Sequence, residues 1–161
     1  MNPNVLVLDT NVWLDYELGM RPGHDVAFRL VDFAATRGIR LGLASHSMKD
    51  VFYIMGQQLK AMNRENGAMS EEAAALAARQ VSWGVFDHLM ELAECIPIDY
   101  SDAWIAGKYR DLHPDYEDDL VVAAAMRMKA DYLVTSNARL IRHSPVPTLS
   151  PGDALRVLQV E

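Results

Sequence analysis

The stretch VLVLDTNVWLD, Val5 to Asp15, decides the fold. Residues 5–8 are strand formers with no polar alternation, the pattern of a strand buried on both faces. Asp9 follows at once, then Thr10 and Asn11, then the apolar start of a helix. A buried strand that ends in a carboxylate sets a negative charge at the carboxyl edge of a sheet. In open α/β folds, ligands collect at that edge. Asp, Thr and Asn are also good helix N-caps, so capping competes with function as a reading of this turn.

Outward from this strand, helices and short strands take turns. A short helix over 12–18, a loop over 19–23 (GMRPG) and an amphipathic helix over 24–36, closed by Gly38, lead to a second strand over 41–44. In the next helix, over 45–62, Met48, Val51, Phe52, Met55, Leu59 and Met62 share one face. Asp50 lies off that face in the first turn, and Ser47 with Asp50 has capping-box spacing. A polar connection over 63–69 precedes Ser70, which caps a long helix reaching residue 94, with Gly84 a candidate bend. The third strand, over 95–98, carries Pro97 and so belongs at an edge. A helix over 101–112 is interrupted by His113 and Pro114.

The second telling segment is YEDDLVVAAAMRMK, residues 116–129. Residues 120–126 are apolar all round, so this helix is buried, and its alanines permit close packing on a sheet. Glu117, Asp118 and Asp119 in its first turn exceed what capping needs. A fourth strand over 132–134 ends in Thr135, Ser136 and Asn137. A short helix with Arg139 and Arg142 follows, then a fifth strand over 146–149. A last short helix is capped by Ser150, with Pro151 at its first position. The alternation predicts an α/β fold. We expect a three-layer α/β/α sandwich on a mostly parallel sheet of about five strands, as one domain over 1–161.

Bulk properties narrow the function. The 161 residues are half hydrophobic with a net charge of −7, which argues against a protein that coats nucleic acid through nonspecific charge. It does not argue against a nuclease whose acids surround a cation, because a bound metal reverses the local charge logic. No apolar run has bilayer length, so no membrane partner is expected. The opening MNPNVLVLD has neither the basic region nor the cleavage site of a signal peptide. The single Cys95 supports no disulfide framework and reads as a small hydrophobe, which fits a reducing cytoplasm. There is no Gly-rich phosphate loop, no paired Cys or His at zinc spacing and no nucleophile elbow. The five histidines are scattered, and Trp13, Trp83 and Trp104 read as core or interface anchors.

In this topology the strand ends and the helix starts after them share one rim. Asp9 ends the first strand, Asp50 begins the helix after the second, Asp118 begins the buried helix before the fourth, and Asn137 follows the fourth. Carboxylates held together without a basic partner raise one another's pKa values, and a divalent cation resolves the conflict. Oxygen-only ligands favour magnesium or manganese over zinc. Such a site suits phosphodiester hydrolysis.

Here the chain resembles the PIN-domain ribonucleases, the fold of the toxin nuclease in many bacterial toxin–antitoxin pairs. LDTNVWLD looks like the family's opening strand and first acid, Asp9. SMKDVFYIM looks like the helix with its second acid, Asp50, where many members use glutamate. YEDDLVVAAAMRMKADYLVTSN looks like the third acid, Asp118, on its Ala-rich helix, followed by the strand and its polar end. The resemblance implies a metal-dependent endoribonuclease acting on RNA, with Mg²⁺ or Mn²⁺ as cofactor, a small antitoxin as partner and a homodimer as assembly. It implies that Asp9 and Asp118 bind the metal and that Asp50 binds it or orients the attacking water. Asn137, with Thr135 or Ser136, would support the metal's waters, and Asn11 would steady Asp9. Asp119 is the reserve third acid, read here as solvent-exposed or capping. Lys49, Arg139 and Arg142 are candidates to meet RNA phosphates, against a plain reading as surface charge.

One departure stands out. The family often carries a further acid after the fourth strand, in a T-x-D or T-x-N-x-x-D-F pattern, where this chain has Asn137 and Leu140. That departure keeps a second reading open, a PIN-fold binding or scaffold protein with weakened catalysis. A third, a magnesium-dependent phosphatase, is disfavoured because LDTNV offers no second carboxylate two residues after Asp9.

Overall fold

The computed structural model describes residues 4–111 and 115–160. Its first strand, β1 (Val5–Leu8), is buried along its whole length. It runs parallel between β2 (Arg40–Ala44) and β4 (Tyr132–Val134). Beyond them lie β3 (Glu94–Ile96), paired with β2, and β5 (Thr148–Leu149), paired with β4. The order is β3-β2-β1-β4-β5 with every pairing parallel, so a mostly parallel sheet of about five strands is what the chain forms. β3 is at the edge, as expected, although it spans 94–96 and Pro97 lies just past it rather than inside.

Alternate residues of the strands feed two cores, one on each face of the sheet. Leu6, Leu8, Leu41, Leu43 and Val134 face α1 (Thr10–Glu17), α2 (His24–Thr36), α3 (Ser45–Asn66), α4 (Glu71–Leu92) and α8 (Pro151–Val160). Val7, Ala44, Ile96 and Leu133 face α6 (Tyr116–Met128) and Leu140 of α7 (Ala138–His143). A further helix, α5 (Tyr100–Tyr109), packs on α6. The result is the α/β/α sandwich expected from the alternation of elements. On the second face Gly42 lets α6 approach, since a Cβ there would meet Ile96 and Val7 side-chain carbons at 2.9 Å and Met128 closer still.

Several local expectations are corrected. α3 does not stop at residue 62 but runs to Asn66, and Gly67 ends it at φ +61°. Polar residues 63–66 read as a loop, yet they prolong the helix on a solvated face. The Asn63 side chain then stitches the turn, donating to the Met69 carbonyl and accepting its amide, both at 3.0 Å. Because α3 opens at Ser45, Ser47 is inside the helix and fully buried, so it forms no capping box with Asp50, which lies in the second turn. α4 passes unbroken through Gly84. α5 stops at Tyr109, and the interruption expected at His113 and Pro114 lies outside the described residues. Trp13 is a core residue, but Trp83 and Trp104 are half-exposed. Among the described residues, no helix is long and apolar enough to cross a membrane.

Candidate active site

From β1 the chain crosses to β2 and β3 on one side, then returns to place β4 on the other. The strand order therefore reverses at the β1/β4 seam, the point where open α/β sheets make a crevice at their carboxyl ends. Asp9 leaves β1 there, and Thr135 leaves β4 beside it.

Asp9 is 4% exposed. One carboxylate oxygen, Oδ1, accepts the Thr10 amide at 2.7 Å, which makes Asp9 the N-cap of α1. The other, Oδ2, accepts the Thr135 hydroxyl at 2.7 Å. Capping and site placement are thus the same fact: the cap aims the carboxylate along the rim. Burial pushes the Asp9 pKa up, and the bonds from Thr135 and Thr10 oppose that rise. Each oxygen keeps a lone pair for a further partner.

Thr135 does two jobs, because its Oγ1 also accepts the Asn137 amide at 3.0 Å. Asn137 uses its side chain at both ends. Its Oδ1 accepts the Arg139 amide at 2.9 Å and so caps α7, while its Nδ2 donates to Asp118 Oδ2 at 2.8 Å. A run of hydrogen bonds thus joins Asp9 of β1 to Asp118 of α6. Leu140, at the family's later acid position, is fully buried on the α6 face of the sheet, where a carboxylate would stand in the apolar core.

Asp50 reaches the same crevice from α3. A cleft of about 260 Å³ is lined by Asp9, Asp50, Asp115, Glu117 and Asp118, with Leu14, Ile54 and Val121 as apolar wall. Asp50 Oδ1 lies 2.9 Å from Lys49 Nζ. Thr10 Oγ1 donates to Ser47 Oγ at 2.7 Å, which ties the start of α1 to α3 and holds the Asp9 and Asp50 elements together. Asn11 is exposed and also lines the cleft, while the bonds on Asp9 come from Thr10 and Thr135. Ser136, Arg139 and Arg142 are exposed.

The structure brings Asp9, Asp50 and Asp118 to one cleft and corrects the reading of Asp119. That residue is 2% exposed rather than solvent-facing, and it does not line the cleft. Adjacent residues on a helix point about 100° apart, so only one of this pair can face the crevice. Asp115 escaped the sequence reading, and Glu117 was noted only as part of the acidic run. Asp115 caps α6, its Oδ1 accepting the Glu117 amide at 2.9 Å, and with Glu117 it adds charge to the cleft wall. The signal was there, since Asp115 extends the acidic run by two positions. His46 was missed too: both ring nitrogens are buried, and burial holds its pKa down against the pull of Asp50, the Glu117 backbone and Asp9.

The donor set is all oxygen, which fits a hard divalent cation. Among the described residues, no three Asp, Glu, His or Cys side chains already stand at ligand spacing. Lys49 pairs with Asp50, Asn137 with Asp118 and Thr135 with Asp9.

These features define a parallel α/β domain with a carboxylate-lined cleft at its topological switch point. The PIN-domain family model matches residues 5–139, and the chain belongs to that family. A comparison with curated proteins finds no match. Among solved structures, the chain is similar to the crystal structure of VapBC2 from Rickettsia felis bound to a DNA fragment from their promoter. The TM-score is 0.63 at 14% identity, over 91% of this chain and 98% of that one, a likeness of fold.

Proposed function

We propose that the protein is a metal-dependent endoribonuclease that hydrolyses RNA phosphodiester bonds. The observation that carries this reading is the cleft at the β1/β4 seam, where carboxylates from β1, α3 and α6 converge. Membership of a family of nucleases, generally dependent on divalent metals, supports it. Asp9 and Asp118 would hold Mg²⁺ or Mn²⁺, and Asp50 would hold the ion or orient the attacking water. Bound there, the ion would offset charge on the phosphate and make water more acidic.

The chain's own residues supply the order. Thr135 keeps one Asp9 oxygen aimed along the rim, and Asn137 does the same for Asp118. Leu14, Ile54 and Val121 exclude water from one side of the cleft, which strengthens every charge interaction within it. Lys49 neutralises Asp50 until a cation takes its place. We propose further that the nuclease is the cytoplasmic toxin of a toxin–antitoxin pair, working as a homodimer and restrained by a small antitoxin. The fold likeness to VapBC2 supports that partner.

The test is cleavage of end-labelled single-stranded RNA in magnesium or manganese by wild type, Asp9→Asn and Asp118→Asn, with folding checked by circular dichroism. Metal-dependent cleavage that drops at least a hundredfold in both variants supports the nuclease. Equal activity in folded variants would refute it. A weakened PIN-fold scaffold is the second reading, favoured by Asn137 at the place of a fourth acid. Inert wild type in this assay would select it.

A further inference from the structure

Beside the acidic cleft, on the next face of α3, lies a second and very different recess. It has a volume of about 340 Å³ and is lined by Met48, Lys49, Phe52, Tyr53, Trp83 and Phe86. Its rings stand on edge to one another. Phe52 and Trp83 have centroids 4.9 Å apart at 69°, and Trp83 and Phe86 5.4 Å apart at 76°. Yet Trp83 is 51% exposed and Tyr53 62%, so large aromatic surfaces are left open to solvent.

The helix period relates the two recesses. Asp50 and Ile54 line the acidic cleft, while Lys49, Phe52 and Tyr53 line the aromatic one. From Asp50 to Tyr53 is three residues, a rise of about 4.5 Å along the axis. Lys49 stands at the seam, lining the aromatic recess with its ammonium 2.9 Å from Asp50.

We infer that the aromatic recess on α3 and α4 seats one base of the single-stranded RNA whose backbone crosses the acidic cleft, with Lys49 meeting the phosphate between them. This rests on the nuclease reading above. A chain with net charge −7 gains little from phosphate attraction, so the substrate needs non-ionic binding energy. Stacking on aromatic side chains supplies that energy for any base. The composition of the seam favours a nucleotide over an apolar protein segment. A nucleotide presents a flat ring and an anion together, which suits Trp83, Tyr53 and Lys49 in turn. An apolar segment laid over the recess would instead strip water from the Lys49–Asp50 pair and return nothing to it.

The test measures binding and cleavage of a fluorescein-labelled single-stranded oligoribonucleotide, and of a set with one abasic residue moved stepwise along it. Binding is read by anisotropy in calcium and cleavage in magnesium, for wild type, Trp83→Ala, Trp83→Phe and Tyr53→Ala. We expect Trp83→Ala to bind about tenfold more weakly and Trp83→Phe to keep most of the affinity. One abasic position should cost wild type a similar factor and cost Trp83→Ala nothing further. If wild type binds and cuts RNA while Trp83→Ala and Tyr53→Ala bind equally well, the base seat is wrong and the nuclease stands. The seat is also wrong if the variants lose a dimer on gel filtration and keep RNA affinity, since the recess then belongs to a second copy. Binding with the abasic signature but without cleavage would uphold the seat and overturn the nuclease. Wild type that neither binds nor cuts RNA overturns both.

Discussion

The Thr135 hydroxyl donates to Asp9 Oδ2 at 2.7 Å across the seam where the strand order reverses. This bond opposes the rise that burial imposes on the Asp9 pKa. Thr135→Val removes it while keeping the shape of the side chain. The Asp9 carboxyl then titrates at still higher pH, and the acid limb of the cleavage profile moves up with it. Removal of a hydrogen bond to a buried charge should also lower stability by about 2 kcal/mol. A pH–rate profile for the two proteins checks the shift, and superimposable acid limbs would contradict it.

Asp9 itself should trade stability for function. Its folded pKa is raised above the unfolded value, so its contribution to stability is fully present below the unfolded pKa and is lost as pH rises through the folded one. Where the pH exceeds this raised pKa, the wild type therefore carries a buried charge that Asp9→Asn lacks. The variant should melt a few degrees higher in metal-free buffer, at about 2–4 °C per kcal/mol for a chain of this size. The gap should close as the pH falls toward the unfolded carboxylate value. Thermal melts from the unfolded carboxylate value to the alkaline side of the Asp9 titration decide it, and a variant less stable than wild type on that alkaline side would count against a charge cost at this position.

Asn137 separates two roles that one substitution can pull apart. Asn137→Asp keeps the oxygen that caps α7 but sets a second carboxylate where Nδ2 now donates to Asp118 at 2.8 Å. Like charges at that distance destabilise the apoprotein. In EDTA the variant should melt several degrees below wild type, and added magnesium should raise its melting temperature more than it raises that of wild type. An equal or smaller gain would show that position 137 does not face the cation.

Much of this arrangement is legible in the chain, and the failures have physical reasons. The unbroken apolar run of β1 and the all-round apolar α6 announce a buried parallel sheet, because neither element has a polar side to expose. Asp9 stands out because it ends the run of β1, and Asp118 because it belongs to the acidic triplet that leads into the run of α6. The extent of α3 is hidden because Asn63 to Asn66 are polar and yet helical on a solvated face. Asp119 is misjudged because two adjacent acids look alike in sequence, while the rotation of α6 against the sheet buries one and turns the other to the cleft. Ser47 resembles a cap by spacing alone; the neighbour that explains it, Thr10, is far away along the chain.

Gly42 tests the seat of the helix that carries Asp118. A methyl group at this position would press on Val7, Ile96 and Met128 between β2 and α6. Gly42→Ala should therefore cost about 1–3 kcal/mol through overpacking. Denaturant unfolding measures the loss, and a midpoint equal to wild type would mean that α6 can move away from the sheet without penalty.

Asp9, Asp50 and Asp118 should together make one divalent cation site, and titration calorimetry with manganese and magnesium tests for it. The wild type should bind, and the binding should be lost in Asp118→Asn while circular dichroism reports an unchanged fold. Absence of binding by folded wild type, or equal binding by the variant, would contradict the account.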